Sequence, residues 1–178
     1  ASKKPMIILG ESFLKNKSAE FLFNSLKNFL SKNNKYLDNW NPLNILSSDA
    51  ATVGNFDLDI VSPNCELLTE LNENKFELIY LLGQDNLIFD KKNEFVVYQG
   101  SHGDKGAEIA DIILPGSAYT EQDGHFTNLE GKTQKAYKAS YPPGEAKEDW
   151  LILNELAEIF SHKKIFIDKE ALYNSMFN

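Results

Sequence analysis

The side chains with chemical potential fall in a few short stretches. Ser101-His102-Gly103-Asp104 sets an imidazole two residues from a carboxylate, among glycines and just after an apolar run. In an open α/β sheet, strand ends of this kind offer polar groups to a ligand. His102, Gly103 and Asp104 are therefore the candidates for contacting a small anion. A hydrolase would also need a nucleophile on a strand-to-helix elbow, and G-x-S-x-G does not occur. Gly116-Ser117-Ala118 follows Pro115 rather than opening such a turn. His102, His125 and His162 share no i,i+3 or i,i+4 spacing that would place two imidazoles on one metal. With no second partner in sight, His102 reads as a structural or interface residue, and no residue is assigned to catalysis or metal binding.

The other candidates have ordinary readings. Gly10-Glu11-Ser12 sits where a nucleotide loop would start, yet the G-x-G-x-x-G signature is absent, so a glycine turn after a strand is favoured. Glu121, Asp123 and Glu130 are three nearby acids, but Asp123-Gly124 and Glu130-Gly131 are turn dipeptides. Cys65 is the single cysteine. It allows no intrachain disulfide and no all-protein iron–sulfur site, which needs about four ligands, and it suits a reducing compartment. Beside Pro63 and Asn64, near a predicted helix start, it reads as an incidental thiol.

These residues must be placed by secondary structure. Met6-Ile7-Ile8-Leu9-Gly10 is a short buried strand. Ser18 caps a helix over about 18–31 whose apolar stripe is Ala19, Leu22, Phe23, Leu26, Phe29 and Leu30. Leu43–Leu46 is a second strand, reached by a crossover long enough for a βαβ unit. Residues 47–59 read as irregular, and Leu67, Leu68 and Leu71 mark a helix from about Asn64 to Glu73. Strands follow at Phe76–Gly83, Phe95–Tyr98 and Ala110–Leu114, the last stopped by Pro115. His125–Asn128 and Lys132–Gln134 flank Leu129-Glu130-Gly131 as a hairpin. After Pro142-Pro143-Gly144 comes a helix over about 146–160, burying Trp150, Leu153, Leu156, Ala157 and Phe160. The tail holds Ile165-Phe166-Ile167, then Asp168 as cap of a terminal helix. The pattern predicts an α/β fold, three-layered with a mostly parallel sheet, a β-hairpin extension and a C-terminal helix. Residues 1–160 form the domain and residues 161–178 a tail packed on it.

Bulk properties narrow the partners. The 178 residues suffice for one α/β domain with a proper core. With 26 Asp and Glu against 18 Lys and Arg, the net charge of −8 repels phosphate backbones and anionic lipid, so nucleic acid is excluded as a partner. No apolar run approaches the ~20 residues of a membrane span, so direct membrane insertion is not expected. Ala1-Ser2-Lys3-Lys4-Pro5 lacks an initiator Met and the features of a signal peptide, and a trimmed or processed piece is the expected origin.

Two linked stretches carry a family resemblance. Ala110-Asp111-Ile112-Ile113-Leu114-Pro115-Gly116-Ser117-Ala118-Tyr119-Thr120-Glu121 is followed by Asp123-Gly124-His125-Phe126-Thr127-Asn128-Leu129-Glu130-Gly131-Lys132-Thr133-Gln134. Together they resemble the molybdopterin oxidoreductase superfamily. Three features within it resemble the large, 75 kDa iron–sulfur subunit of respiratory NADH dehydrogenase, complex I. They are Tyr98 to Ala107, Pro115 to Glu121, and Pro142-Pro143-Gly144-Glu145-Ala146-Lys147-Glu148-Asp149-Trp150.

The resemblance implies a Rossmann-like, catalytically retired domain of that subunit. It would act structurally, supporting electron transfer from NADH to quinone by 2Fe-2S and 4Fe-4S clusters carried elsewhere in the parent. The same resemblance implies no cofactor in this stretch. Implied partners are other domains of the subunit and other hydrophilic-arm subunits. The implied location is the cytoplasmic face of a bacterial inner membrane or the matrix side of the mitochondrial one. Gly100-Ser101-His102-Gly103-Asp104 departs from the Thr/Glu-containing approach of molybdenum enzymes. If a pterin bound, His102, Gly103 and Asp104 would be its candidates. The alternative is a cofactor-holding domain of a molybdopterin oxidoreductase such as a formate dehydrogenase relative. A third is a free-standing module binding a small anion near Gly103 and Asp104.

Overall fold

A computed structural model describes residues 2–61 and 66–177, so the reading of Cys65 lies outside the described residues. The chain divides into two compact units, Ala1–Asp57 with Thr127–Thr133, and Leu58–Phe126 with Gln134–Asn178.

In the first unit, β1 (Ile7–Gly10) pairs in parallel with β2 (Leu43–Leu46), Ile7 opposite Leu43 and Gly10 opposite Leu46. One-turn helix α1 (Glu11–Leu14) follows β1 directly, and α2 (Ala19–Lys32) makes the crossover. Helix α2 buries Ala19 and Leu30, with Phe23 and Leu26 half-buried between them. Leu22 and Phe29, expected on that stripe, are exposed instead. Positions 19, 23, 26 and 30 follow the helical repeat along one line, and 22 and 29 fall to its flank. A short helix, α3 (Thr52–Asp57), occupies part of the stretch expected to be irregular.

The second unit holds α4 (Leu67–Asn72) and three parallel strands: β3 (Leu78–Leu82), β4 (Phe95–Gly100) and β5 (Ile112–Pro115). Their order is β3-β4-β5, with Leu81 beside Tyr98 and Tyr98 beside Ile113. Leu71, Leu81, Phe89, Val96 and Tyr98 form the core on one face. Asp111 fixes the β4–β5 register by accepting from the Val96 N–H at 2.8 Å while pairing with Lys91 at 2.7 Å. Helix α5 (Lys105–Ile109) was not expected, because five residues containing Gly106 carry no helical periodicity.

The hairpin is β6 (Gly124–Thr127) and β7 (Thr133–Ala136). Its turn uses Gly131 at φ +78°, as the Glu130-Gly131 pair predicts. Asn128 Oδ1 accepts from the N–H groups of Glu130 and Lys132 at 3.0 and 2.9 Å. Helices α6 (Asp149–Ser161) and α7 (Lys169–Phe177) complete the chain. Helix α6 buries Ile152 and, on a different face turned to residues 165 and 166, Asn154, whereas Leu153 and Phe160, expected inside, are exposed. The fold is mixed α/β with parallel sheets and no closed barrel among the described residues.

Candidate functional site

Parallel α/β sheets present ligands at the carboxyl ends of their strands, and this chain has two such ends. In the second unit, Gln99 near the end of β4 is fully buried. Burial of a primary amide is tolerable only if its donors and acceptor find partners. Its Oε1 accepts from the Tyr80 hydroxyl of β3. Its Nε2 donates to Asp149 Oδ1 at 2.8 Å, at the start of α6. Asp149 Oδ2 in turn accepts from Gln122 Nε2 at 3.2 Å. Gly116 permits this approach, because a Cβ there would stand 2.7 Å from Asp149 Oδ1. Burial, and then the Asp149 charge, push the Tyr80 phenol above its ordinary range. The ends of β3 and β4 are thus plugged by a closed set of protein hydrogen bonds.

The sequence-predicted loop lies next to this plug and is built differently. Ser101, His102, Gly103 and Asp104 are all exposed. The His102 carbonyl accepts from the Tyr98 hydroxyl, and Ser101 Oγ lies 3.0 Å from His102 Nδ1. Asp104 and Gly106 donate their N–H groups to Asp85 Oδ1 at 3.1 and 3.0 Å. Those donors, which an anion would need, are committed to Asp85. Gly106 is required where it stands, since a Cβ would meet the Gln84 carbonyl at 2.8 Å and the Tyr98 ring at 2.9 Å. The phenol of Tyr98 is raised by burial and by Asp85 and Asp104.

In the first unit the Gly10 turn delivers Glu11 to the ends of β1 and β2. Glu11 Oε2 accepts from the Ser48 N–H at 2.7 Å and from the Ser48 hydroxyl at 2.5 Å, and Lys15 pairs with Oε1 at 3.3 Å. The Ser48 hydroxyl and N–H, then Lys15, hold its carboxyl at about 2. A cleft of about 490 Å³ beside it is lined by Leu14, Ile45, Val53, Phe56 and Leu129, with Glu11 at its polar end.

A third polar cluster, missed in the sequence, docks the tail. Asn154, buried on α6, accepts from the Ile165 and Phe166 N–H groups at 2.9 and 3.0 Å and donates to the Phe166 carbonyl at 2.8 Å. Glu148 bonds Lys169 Nζ and accepts from Trp150 Nε1 at 2.9 Å. His125 meets Tyr173 and Phe177 edge-on, at centroid distances of 4.5 and 5.1 Å. Of the predicted acids, Asp123 is held low by the Lys138 N–H and then by Lys169, Lys138 and Lys135. Glu121 accepts from the Ala118 N–H at 2.9 Å, and Glu130 sits in the hairpin turn. Neither is paired with Asp123 for acid–base work among the described contacts. Only an asparagine within an apolar helix could have signalled the tail cluster.

Parallel βαβ units with a Gly-turned hairpin place the chain in a broad α/β class, and its sequence narrows that class. Residues 1–159 match the molybdopterin oxidoreductase family, and the chain belongs to it. Among curated proteins it is similar to the NADH-ubiquinone oxidoreductase 75 kDa subunit of Reclinomonas americana, 42% identical over 91% of this chain and 24% of that protein. It is also similar to an NADH-quinone oxidoreductase subunit of Rickettsia bellii, 45% identical over 89% of this chain and 22% of that one. The mitochondrial NADH-ubiquinone oxidoreductase 78 kDa subunit of Candida albicans is 41% identical over 94% of this chain and 23% of that protein. The chain thus spans 22–24% of the length of these relatives.

The family implies a pterin cofactor carrying phosphate, and the residues at the strand ends do not fit it. Phosphate needs free N–H donors and positive potential. Here the Ser48 donors are taken by the Glu11 carboxylate, the Gln99 amide by Asp149, and the Asp104 and Gly106 N–H groups by Asp85. In each unit, acids hold donors that a phosphate would need: Glu11 in the first, and Asp85 and Asp149 in the second.

Proposed function

We propose that the chain is a non-catalytic structural domain of the large iron–sulfur subunit of NADH:quinone oxidoreductase (complex I). In this reading electrons pass from NADH to quinone through 2Fe-2S and 4Fe-4S clusters held elsewhere in the parent subunit. The observation that carries it is the engagement of the strand-end donors by Glu11, Asp85 and Asp149. A phosphate-bearing ligand would need such N–H donors free. The similarity to the bacterial NADH-quinone and mitochondrial NADH-ubiquinone oxidoreductase subunits supplies the context. The partners are then other domains of the same subunit and neighbouring hydrophilic-arm subunits, on the cytoplasmic face of a bacterial inner membrane or the matrix side of the mitochondrial one. No helix among the described residues is long and apolar enough to cross a membrane.

The fold assignment under this reading is a three-layer, Rossmann-like domain over residues 1–160, with residues 161–178 as a packed tail. His102, Gly103 and Asp104 serve as a loop that closes the core around Tyr98, not as a cofactor site. The decisive measurement is the absorption spectrum and metal content of the purified chain and of the full parent subunit. The chain should be colourless and free of molybdenum and tungsten, and the parent should show iron–sulfur absorption without either metal. Stoichiometric molybdenum in the parent would sink the reading.

A further inference from the structure

We propose that the strap from Lys135 to Tyr141 is a docking surface for an acidic protein segment that also carries apolar side chains. The chain has a net charge of −8, yet residues 131–144 contain three lysines, Lys132, Lys135 and Lys138, and no Asp or Glu. Lys135 and Lys138 form no ion pair among the described residues. Their ammonium groups lie over tyrosine rings instead, Lys135 at 4.9 Å from the Tyr137 centroid and Lys138 at 4.6 Å from that of Tyr141. Tyr137 and Tyr141 are 75% and 77% exposed.

The acid within reach is Asp123, which is committed to the Lys138 N–H at 2.9 Å. Lys169, the third cation around it, is bonded to Glu148. Two cations therefore remain available to a partner. The strap is also fixed in advance: Ala139 and Ser140 donate their N–H groups to the Thr120 carbonyl at 2.8 and 3.2 Å. Docking on it costs little backbone entropy. Tyr rings with adjacent cations form the kind of amphipathic surface that recurs at protein interfaces.

Charge decides the class of partner. A nucleic acid or a lipid surface is an extended polyanion, and the acidic remainder of the chain repels it. A protein segment can place a few carboxylates on Lys135 and Lys138 and its apolar groups on Tyr137 and Tyr141. This deepens the structural reading above and rests on it for the partner being a protein.

The test measures fluorescence anisotropy of a labelled peptide of alternating glutamate and leucine, titrated with the purified full chain. The expected result is saturable binding that weakens with salt, falls roughly tenfold or more in K135E/K138E, and falls severalfold in Y137A/Y141A. K163E/K164E should bind like the unaltered chain. Far-UV circular dichroism confirms that each variant folds, which their exposed positions favour. No binding, equal binding of K135E/K138E, or equal binding of a glutamine–leucine peptide would overturn the proposal. Tighter binding of phosphatidylserine vesicles or oligodeoxythymidylate would also overturn it. Failure here with a colourless, metal-free chain removes the docking surface and leaves the structural reading standing, whereas a coloured chain removes the structural reading.

Discussion

At the scale of single residues, the strand ends hold charges and amides that are costly to separate. Asp149 serves both the Gln99 and the Gln122 side-chain amides. Asp149→Ala leaves the fully buried Gln99 amide only the longer bond to the main-chain carbonyl of residue 149, at 3.3 Å, and a buried donor so weakened costs on the order of 1 kcal/mol. The urea midpoint should fall accordingly, with the slope of the transition unchanged. Glu11 makes a different prediction, one of pH. Its folded pKa of about 2 lies below the ordinary 4.5. A depressed carboxyl contributes stability that is fully present above pH 4.5 and is lost as pH falls toward 2. Glu11→Gln should therefore flatten the acid limb of stability across that window, read as urea midpoints over a pH series. Titration of the Glu11 carboxyl carbon near its unperturbed value would refute the Ser48 cross-tie.

At the scale of elements, what the sequence shows and what it hides have distinct physical causes. Strands β1 to β5 are legible because each is a nearly continuous apolar run, and Gly10, Gly83 and Pro115 punctuate the ends of three. The hairpin is legible because Gly131 supplies the positive φ that its turn demands. The α6 face is not legible, because periodicity ranks Leu153 and Phe160 as core and Asn154 as surface, and tertiary hydrogen bonding reverses that order. The candidate loop at 102–104 is locatable after β4, but its occupation by Asp85 depends on a contact 19 residues apart. The Gln99–Asp149 plug spans 50 residues and leaves no local trace. Asn154 gives the element-scale prediction. Asn154→Ala removes one acceptor shared by two N–H groups and one donor, so destabilisation of about 1–3 kcal/mol is expected. Hydrogen exchange should rise first at Ile165 and Phe166, the amides that lose their acceptor, and then through α7. Uniform acceleration across β3 to β5 instead would show that the tail is not a separate docking element.

At the scale of the whole molecule, the three-stranded sheet is two-faced in chemistry. One face packs Leu81, Val96 and Tyr98 into the core. On the other, the register sets Leu78 beside Phe95 and Val97 beside Ile112, and Leu78, Leu82, Phe95 and Ile112 are all exposed. Contiguous apolar patches larger than a few hundred Å² are uncommon on monomeric soluble proteins, and parallel sheets are ordinarily covered on both faces. Gln99 on this face is covered by α6, so the open part is that around Leu78, Phe95 and Ile112, and a native chain should bind the dye 1-anilinonaphthalene-8-sulfonate there while still unfolding cooperatively. An acid-expanded state binds the same dye but loses its fixed packing, so near-UV circular dichroism separates the two. Leu78→Thr with Ile112→Thr should cut the dye fluorescence severalfold and change stability little, because both side chains already face water. If the double substitution leaves the fluorescence intact, the dye is reading another surface and the open face of β3 to β5 is not its site.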